Sequence, residues 1–240
     1  AIDEKSFGPE HPKVAIGLNN LAALVQTTNR FAEAEPLMAR VVTIFESSLG
    51  EHHPNVAIAL NNLAQLLLAT SRLTEAEPLM RRALAIHEKS FGPDHPNVAV
   101  RLNNLARLLQ ATSRFAEAEP LMRRHLVIFI DFSRRTGHEH PHLQAAFRNY
   151  RHLLQDMGNS DAEIEAAIQA LDDQIAVKLE ELQRTVDLAQ TGRLEEALAI
   201  FQSFEPASEP SQPSTSTSTP RSHSLTASDL NWAKASCQLR

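Results

Sequence analysis

One cysteine, one tryptophan, one tyrosine and seven glycines in 240 residues leave few routes to a fold other than a helical one. The lone cysteine, Cys237, can form no disulfide within the chain, which fits a reducing, cytoplasmic setting. Aromatic residues make up only 5%, and this scarcity, with so little glycine, suits helices packed through Leu, Ala and Met rather than sheets. No apolar run approaches the length that crosses a bilayer; Leu126–Ile130 is among the longest. Basic excess is missing as well: a net charge of −6 argues against nucleic acid as a partner. No glycine-rich phosphate loop appears, and no nucleophile stands in a catalytic setting. The expectation is a non-enzymatic protein with no cofactor, no membrane span and no nucleic-acid partner.

What the chain has instead is repetition. His11-Pro12, Leu18-Asn19-Asn20-Leu21-Ala22 and Ala34-Glu35-Pro36-Leu37-Met38 return 42 residues later as His53-Pro54, Leu60-Asn61-Asn62-Leu63-Ala64 and Ala76-Glu77-Pro78-Leu79-Met80. They return again as His95-Pro96, Leu102-Asn103-Asn104-Leu105-Ala106 and Ala118-Glu119-Pro120-Leu121-Met122. A period of this size marks a stacked array, in which each unit buries its apolar face against its neighbours and presents long surfaces rather than deep pockets.

Val56, Leu60, Leu63 and Leu67 fall on one stripe of a helix, as do Val14, Leu18, Leu21, Val25 and Val98, Leu102, Leu105, Leu109. The His-Pro pair reads as the start of that helix, because proline is well tolerated at the first helical position. Thr70-Ser71-Arg72 interrupts the pattern, and a second helix follows with Leu73, Ala76, Met80 and Ala83 inward. Phe91-Gly92-Pro93 ends it, with Gly92 expected as a left-handed cap. Pro36, Pro78 and Pro120 sit about one turn into the second helices and predict a mild bend rather than a break. Each unit is thus a helical hairpin.

These residues resemble the tetratricopeptide repeat, in the 42-residue version found in kinesin light chains and their bacterial relatives. The resemblance covers roughly residues 1–155. It departs from the generic repeat at the turn between helices, where Asn29, Ser71 and Ser113 replace glycine. It implies an all-α, right-handed superhelical α-solenoid. Residues 1–8, which match Ala85–Gly92 almost letter for letter, read as the end of an upstream repeat, so the chain looks like a fragment. The array proper runs over 9–160, with repeats at about 11–52, 53–94, 95–139 and from 140 onward, the last delayed by three inserted residues near Arg134–Gly137. Ser160 or Asp161 caps a helix that opens a helical closure over 161–204, and Thr191–Leu198 is similar to a degenerate repeat. Residues 205–240 are expected to be a disordered Ser/Thr/Pro-rich tail, with Trp232 either a docking anchor or part of a free terminus.

Two lines of residues nominate a binding surface. Opposite the apolar stripe of the first helices lie Ile16, Ala23, Thr27; Ile58, Gln65, Ala69; and Val100, Arg107, Ala111, continued by Ala145, His152 and Asp156. Ile16, Ile58 and Val100 are either apolar footholds for a guest or covered by neighbouring helices. The pairs Asn19/Asn20, Asn61/Asn62 and Asn103/Asn104, with Asn149 in the fourth unit, flank that line. Asparagine is a poor helix former, so two in mid-helix need a reason. An amide can grip the backbone of an extended peptide, or it can satisfy loop backbone in the next repeat. The resemblance implies that Asn19, Asn61 and Asn103 hold peptide backbone and that basic residues choose acidic motifs. Arg101, Arg107, Arg148, Arg151 and His152 concentrate positive charge in the third and fourth units, as an acidic partner segment or an ordinary wet helix face would require. His138-Glu139-His140-Pro141-His142 lacks the spacing of a zinc hydrolase motif and is not assigned a metal. His125 on an inner helix face reads as a packed residue. The function expected is a scaffold binding an extended peptide segment of a partner; the alternative is the sensing arm of a larger signalling protein with an upstream NTPase or protease-like domain.

Overall fold

The computed structural model of the chain describes residues 2–203, and the side chains of residues 5–200. The tail expected over 205–240, with Trp232 and Cys237, lies outside the described residues. Helices are α1 (Ile2–Phe7), α2 (Pro12–Thr27), α3 (Phe31–Leu49), α4 (Pro54–Ala69), α5 (Leu73–Phe91), α6 (Pro96–Ala111), α7 (Phe115–Thr136), α8 (Leu143–Asp156), α9 (Asp161–Gln190) and α10 (Leu194–Ser203). No strand occurs among the described residues. Two compact units divide them: residues 2–129 with Pro141–Ile164, and Ile130–His140 with residues 165–203.

In the first unit the hairpins α2/α3 and α4/α5 pack internally, and α3 on α4 and α5 on α6 join one hairpin to the next. The shared core runs from Val14, Ala15, Val41 and Ile44 to Val56, Leu60, Ala83 and Ile86. Alanine at 22, 34, 57, 64 and 76 is fully buried, which lets helix backbones approach closely. In repeats two and three the expected stripe is inside, except that Leu63 is half-buried. In repeat one it departs: Leu21 is 46% exposed, and so is Leu24 at 64%, whereas their equivalents Leu105, Leu66 and Leu108 are at most 1% exposed. The position of Leu66 and Leu108 belongs to the core, although it lies off the four-residue stripe.

The His-Pro start is a cap with a chemical mechanism. Nδ1 of His11, His53 and His95 accepts the backbone N–H two residues on at 3.0–3.1 Å, and proline follows at N1. Three orphan N–H groups of P-started helices are thus met by imidazole, which must be unprotonated at Nδ1 to accept. At the other end Gly92 has φ 86° and ψ 158°, and Gly50 φ 89° and ψ 151°. This is not the left-handed helical conformation expected but the extended positive-φ region that glycine alone occupies without strain. The left-handed helical residues are Asn29, Ser71 and Ser113, with φ 58–59°, at the turns between paired helices. Pro36, Pro78 and Pro120 remain inside continuous helices.

The three inserted residues lengthen α7 to 22 residues, against 19 in α3 and α5. The His-Pro start fails in the fourth hairpin: α8 begins at Leu143, two residues late, and its cap residue His142 makes no side-chain cap hydrogen bond. His140 instead packs edge-on against Phe132 at 5.0 Å, and its N–H donates to Ser133 Oγ at 2.9 Å. Ser160 caps α9 through a capping box, with Ser160 N–H donating to Glu163 Oε2 at 2.8 Å and Glu163 N–H to Ser160 Oγ at 3.4 Å. Those hydrogen bonds hold the Glu163 carboxyl below its usual range. In the second unit Leu171, Ile175, Leu188 and Ala197 are buried, and Arg134 pairs with Asp172 at 2.6 Å. The turn into α10 uses Gly192 at φ 82°, and Arg193 pairs with Glu196 as Arg72 does with Glu75.

Candidate functional site

Successive first helices bring the asparagines together across repeats. Asn62 Nδ2 donates to Asn19 Oδ1 at 2.9 Å, Asn104 Nδ2 to Asn61 Oδ1 at 2.8 Å, and Asn149 Nδ2 to Asn103 Oδ1 at 2.8 Å. From the second unit onward, the second asparagine therefore feeds the first asparagine of the repeat before it, not loop backbone. Asn61 is buried, with 6% of its surface exposed; Asn19, Asn62, Asn103, Asn104 and Asn149 are half-buried, and Asn20 is exposed. What remains of the first asparagines for a guest is the amide nitrogen: Nδ2 of Asn19 and of Asn61 donates to nothing among the described residues. The reason for two poor helix formers in mid-helix is thus an amide ladder that ties the hairpins in register.

A second ladder ties the other edge. Arg72 Nη1 reaches Glu35 of the preceding repeat at 2.7 Å and Arg114 Nη1 reaches Glu77 at 2.7 Å, while each also holds the carboxylate three residues on. The arginine hydrogen bonds keep the Glu77 carboxyl below its usual range. Arg82–Glu46 and Arg124–Glu88 repeat the theme at 2.6 and 2.5 Å. In the fourth hairpin Tyr150 takes the arginine's part, its hydroxyl donating to Glu119 Oε1 at 2.9 Å; burial first, then that carboxylate, pushes the phenol up to about 12. These pairs are a third exposed or more in many cases, so each is worth a fraction of a kcal/mol up to about 1; their value is geometric.

The apolar line is open. Ile16 is 52% and Ile58 42% exposed, Val100 is half-buried, and Gln65 and Arg107 are exposed, so neighbouring helices do not cover this side of α2 and α4. The positive charge sorts differently from the sequence pattern. Arg101 is turned inward, half-buried, with Nε donating to His87 Nδ1 at 3.4 Å, and burial lowers its affinity for the proton. Arg151 is engaged elsewhere. Arg107 and Arg148 are exposed and have no partner among the described residues, whereas every other arginine of the first unit has one. Both line a cleft of about 630 Å³ with Gln110, Ala111, Met122, Asn149, His152 and Asp156. Gln110 Nε2 donates to Asp156 Oδ2 at 2.6 Å and lies 2.9 Å from His152 Nδ1, which fixes one wall and occupies the one carboxylate there.

Arg148 stands where the first asparagine of the fourth unit would be, one residue before Asn149, so the ladder ends in a cation. Sequence reasoning missed Gln110 and Met122; Gln110 was findable, because it sits three residues after Arg107 on the same helix. His125 is buried, with Nδ1 2.8 Å from the carbonyl of Ala99 and Nε2 buried without a partner. Burial pushes its imidazole down to about 4. No group of three or more His, Cys, Asp or Glu that could hold a metal ion occurs among the described residues.

Stacked helical hairpins at a fixed 42-residue step, keyed by side chains at equivalent positions, define an α-solenoid repeat protein. The tetratricopeptide repeat family model matches residues 15–86 and 55–131, so that stretch carries tetratricopeptide repeats. Similar solved structures include a Podosopora anserina protein assigned to the kinesin light chains, with nearly identical TPR-like repeats; it is 25% identical, with a TM-score of 0.57 over 80% of this chain and 93% of that one. BtubC (BKLC) from P. vanneervenii shares the fold at 21% identity and a TM-score of 0.55, over 89% of this chain and 73% of that one. The search of curated proteins finds no match. Tetratricopeptide repeats generally mediate protein–protein interaction. No helix among the described residues is long and apolar enough to cross a membrane.

Proposed function

We propose that this chain is an interaction scaffold that takes an extended, acidic peptide segment of a partner protein along the open side of its first helices. The observation that carries the reading is the pair of unpartnered guanidinium groups, Arg107 and Arg148, lining one cleft in a unit whose other arginines are all engaged. An unpaired arginine held near protein surface binds a carboxylate in two parallel hydrogen bonds, and two of them select for negative charge. Ile16, Ile58 and Val100 supply apolar footholds toward the other end, Gln65 an adaptable amide, and Nδ2 of Asn19 and Asn61 donors for guest backbone carbonyls.

The test is a peptide-array screen followed by fluorescence polarisation on the best acidic binders. Arg107→Glu with Arg148→Glu should weaken acidic peptides by about tenfold or more and flatten the salt dependence of binding. Ile58→Ser should weaken binding without changing that salt dependence. Equal affinity for acidic and neutral peptides, or no response to the double charge reversal, would remove the cleft from the binding surface.

A further inference from the structure

The junctions between hairpins use equivalent positions but are not alike. Between α3 and α4 two such positions hold Phe45 and Ala59, both buried in the shared core. In the third and fourth units they hold Phe129 and Ala146, each 0% exposed. Between α5 and α6 they hold His87 and Arg101. His87 is buried; its Nε2 hydrogen donates to the Pro54 carbonyl at 3.3 Å, and its Nδ1 accepts from Arg101 Nε at 3.4 Å. With one nitrogen donating and the other accepting, the imidazole is neutral. No acid answers the cation. Nη1 and Nη2 of Arg101 donate to nothing among the described residues, and burial acts on its charge without any carboxylate to offset it. Arg72, Arg82, Arg114 and Arg124, by contrast, each hold a glutamate at 2.5–2.7 Å.

Taking a charge out of water is costly unless it is paired and fully hydrogen-bonded, and an apolar pair of similar volume is the more stable choice. The chain uses that apolar choice at 45/59 and 129/146 and abandons it at 87/101, where both members changed together. Such a local departure belongs to a site rather than to packing. Arg101 is only half-buried, so its terminal nitrogens can be reached from solvent. Phe91 stands beside them as a rigid wall, edge-on to His87 at 5.2 Å and stacked on His95 at 4.9 Å. We propose that Arg101 is an oxyanion site at the α5–α6 junction, in which Nη1 and Nη2 take two oxygens of a carboxylate or phosphate while His87 holds the guanidinium by Nε. A fork of two parallel N–H groups matches both anions. The bound anion supplies the missing counter-charge and steadies one hairpin against the next. Arg101 does not line the Arg107–Arg148 cleft, and the site does not depend on the peptide reading.

The test uses the full chain carrying Arg107→Gln and Arg148→Gln, so that the cleft cannot take the anion. Inorganic phosphate is titrated to about 20 mM against chloride at constant ionic strength. The Nε–H resonance of Arg101 and the ring resonances of His87 should shift together and saturate. The melting temperature should rise by at least about 2 °C more than in the same chain with Arg101→Ala added. That variant keeps the fold within reach, because alanine already stands at the equivalent positions 59 and 146. A short blocked peptide with a single glutamate separates the sources. Shifts with phosphate mark a free ion as the ligand; shifts with the peptide but not with phosphate mark a carboxylate carried by a partner chain. If neither probe moves Arg101 and His87, or if the Arg101→Ala chain gains as much from phosphate, the proposal is overturned.

Discussion

Replacing Asn61 by alanine separates a ladder residue from a peptide-gripping one. Asn61 is buried and its Oδ1 accepts from Asn104 Nδ2 at 2.8 Å. Truncation leaves the half-buried Asn104 amide without its acceptor, which costs about 1–3 kcal/mol, toward the low end because water can partly reach it. Alanine is also the better helix former by about 0.6 kcal/mol, so the net loss is about 0.5–2.5 kcal/mol. Asn20→Ala is the internal control: the same change at an exposed, unpartnered position should stabilise by a few tenths. The double replacement Asn61→Leu with Asn104→Leu removes donor and acceptor together and should cost less than the sum of the singles, with a coupling of about 1 kcal/mol. Urea unfolding followed by far-ultraviolet circular dichroism gives all of these differences. If Asn61→Ala proves as harmless as Asn20→Ala, the amide ladder holds nothing together and the asparagines are free for a guest after all.

Acid should weaken the array before it affects most carboxylates. His125 binds its proton at about 4 when folded against an ordinary 6.5, so between those values the unfolded chain takes up a proton that the folded chain refuses. Stability is full above about pH 6.5 and falls as pH drops, by about 3 kcal/mol at pH 4 from this residue. His87, pushed down by burial and by the charge of Arg101, adds to the loss in the same direction. His125→Met should flatten the dependence of the melting temperature on pH over that range; an unchanged slope would place the acid sensitivity elsewhere. At the interhelix turns, Ser71→Gly and Ser113→Gly should each stabilise by about 0.5–1 kcal/mol, since both serines are held at φ 58–59°. Asn29→Gly should gain less, because asparagine tolerates that conformation, and a drop in melting temperature for either serine variant would contradict the turn geometry.

Much of the fold could be read from the chain because its determinants are local. Helix stripes, the glycine at 92 and the Ser160–Glu163 box all act within a few residues, and the His-Pro start needs only its own next turn. The site was less legible because its determinants act across 36–46 residues. The pairing of Asn62 with Asn19, or of Arg72 with Glu35, exists only once two hairpins stack, and one-dimensional spacing does not say which member of an asparagine pair points where. Arg101 shows the same limit: it reads as part of a basic face, yet it turns inward to His87 because Ala59 and Arg101 occupy equivalent positions with very different reach. Leu21 reads as core by its period, yet it is 46% exposed and its equivalent Leu63 is half-buried, because helix period alone does not fix how far a side chain is covered.

The three extra residues in α7 have a consequence for how such a protein can grow. They advance the helix by about 4.5 Å and swing its far end through about 300°. The chain absorbs that step between α7 and α8, because Asn149 still reaches Asn103 across 46 residues where the earlier pairs span 43. A change of length at the end of a second helix is thus compatible with a continuing stack, provided that the next first helix brings its asparagine back to the one before.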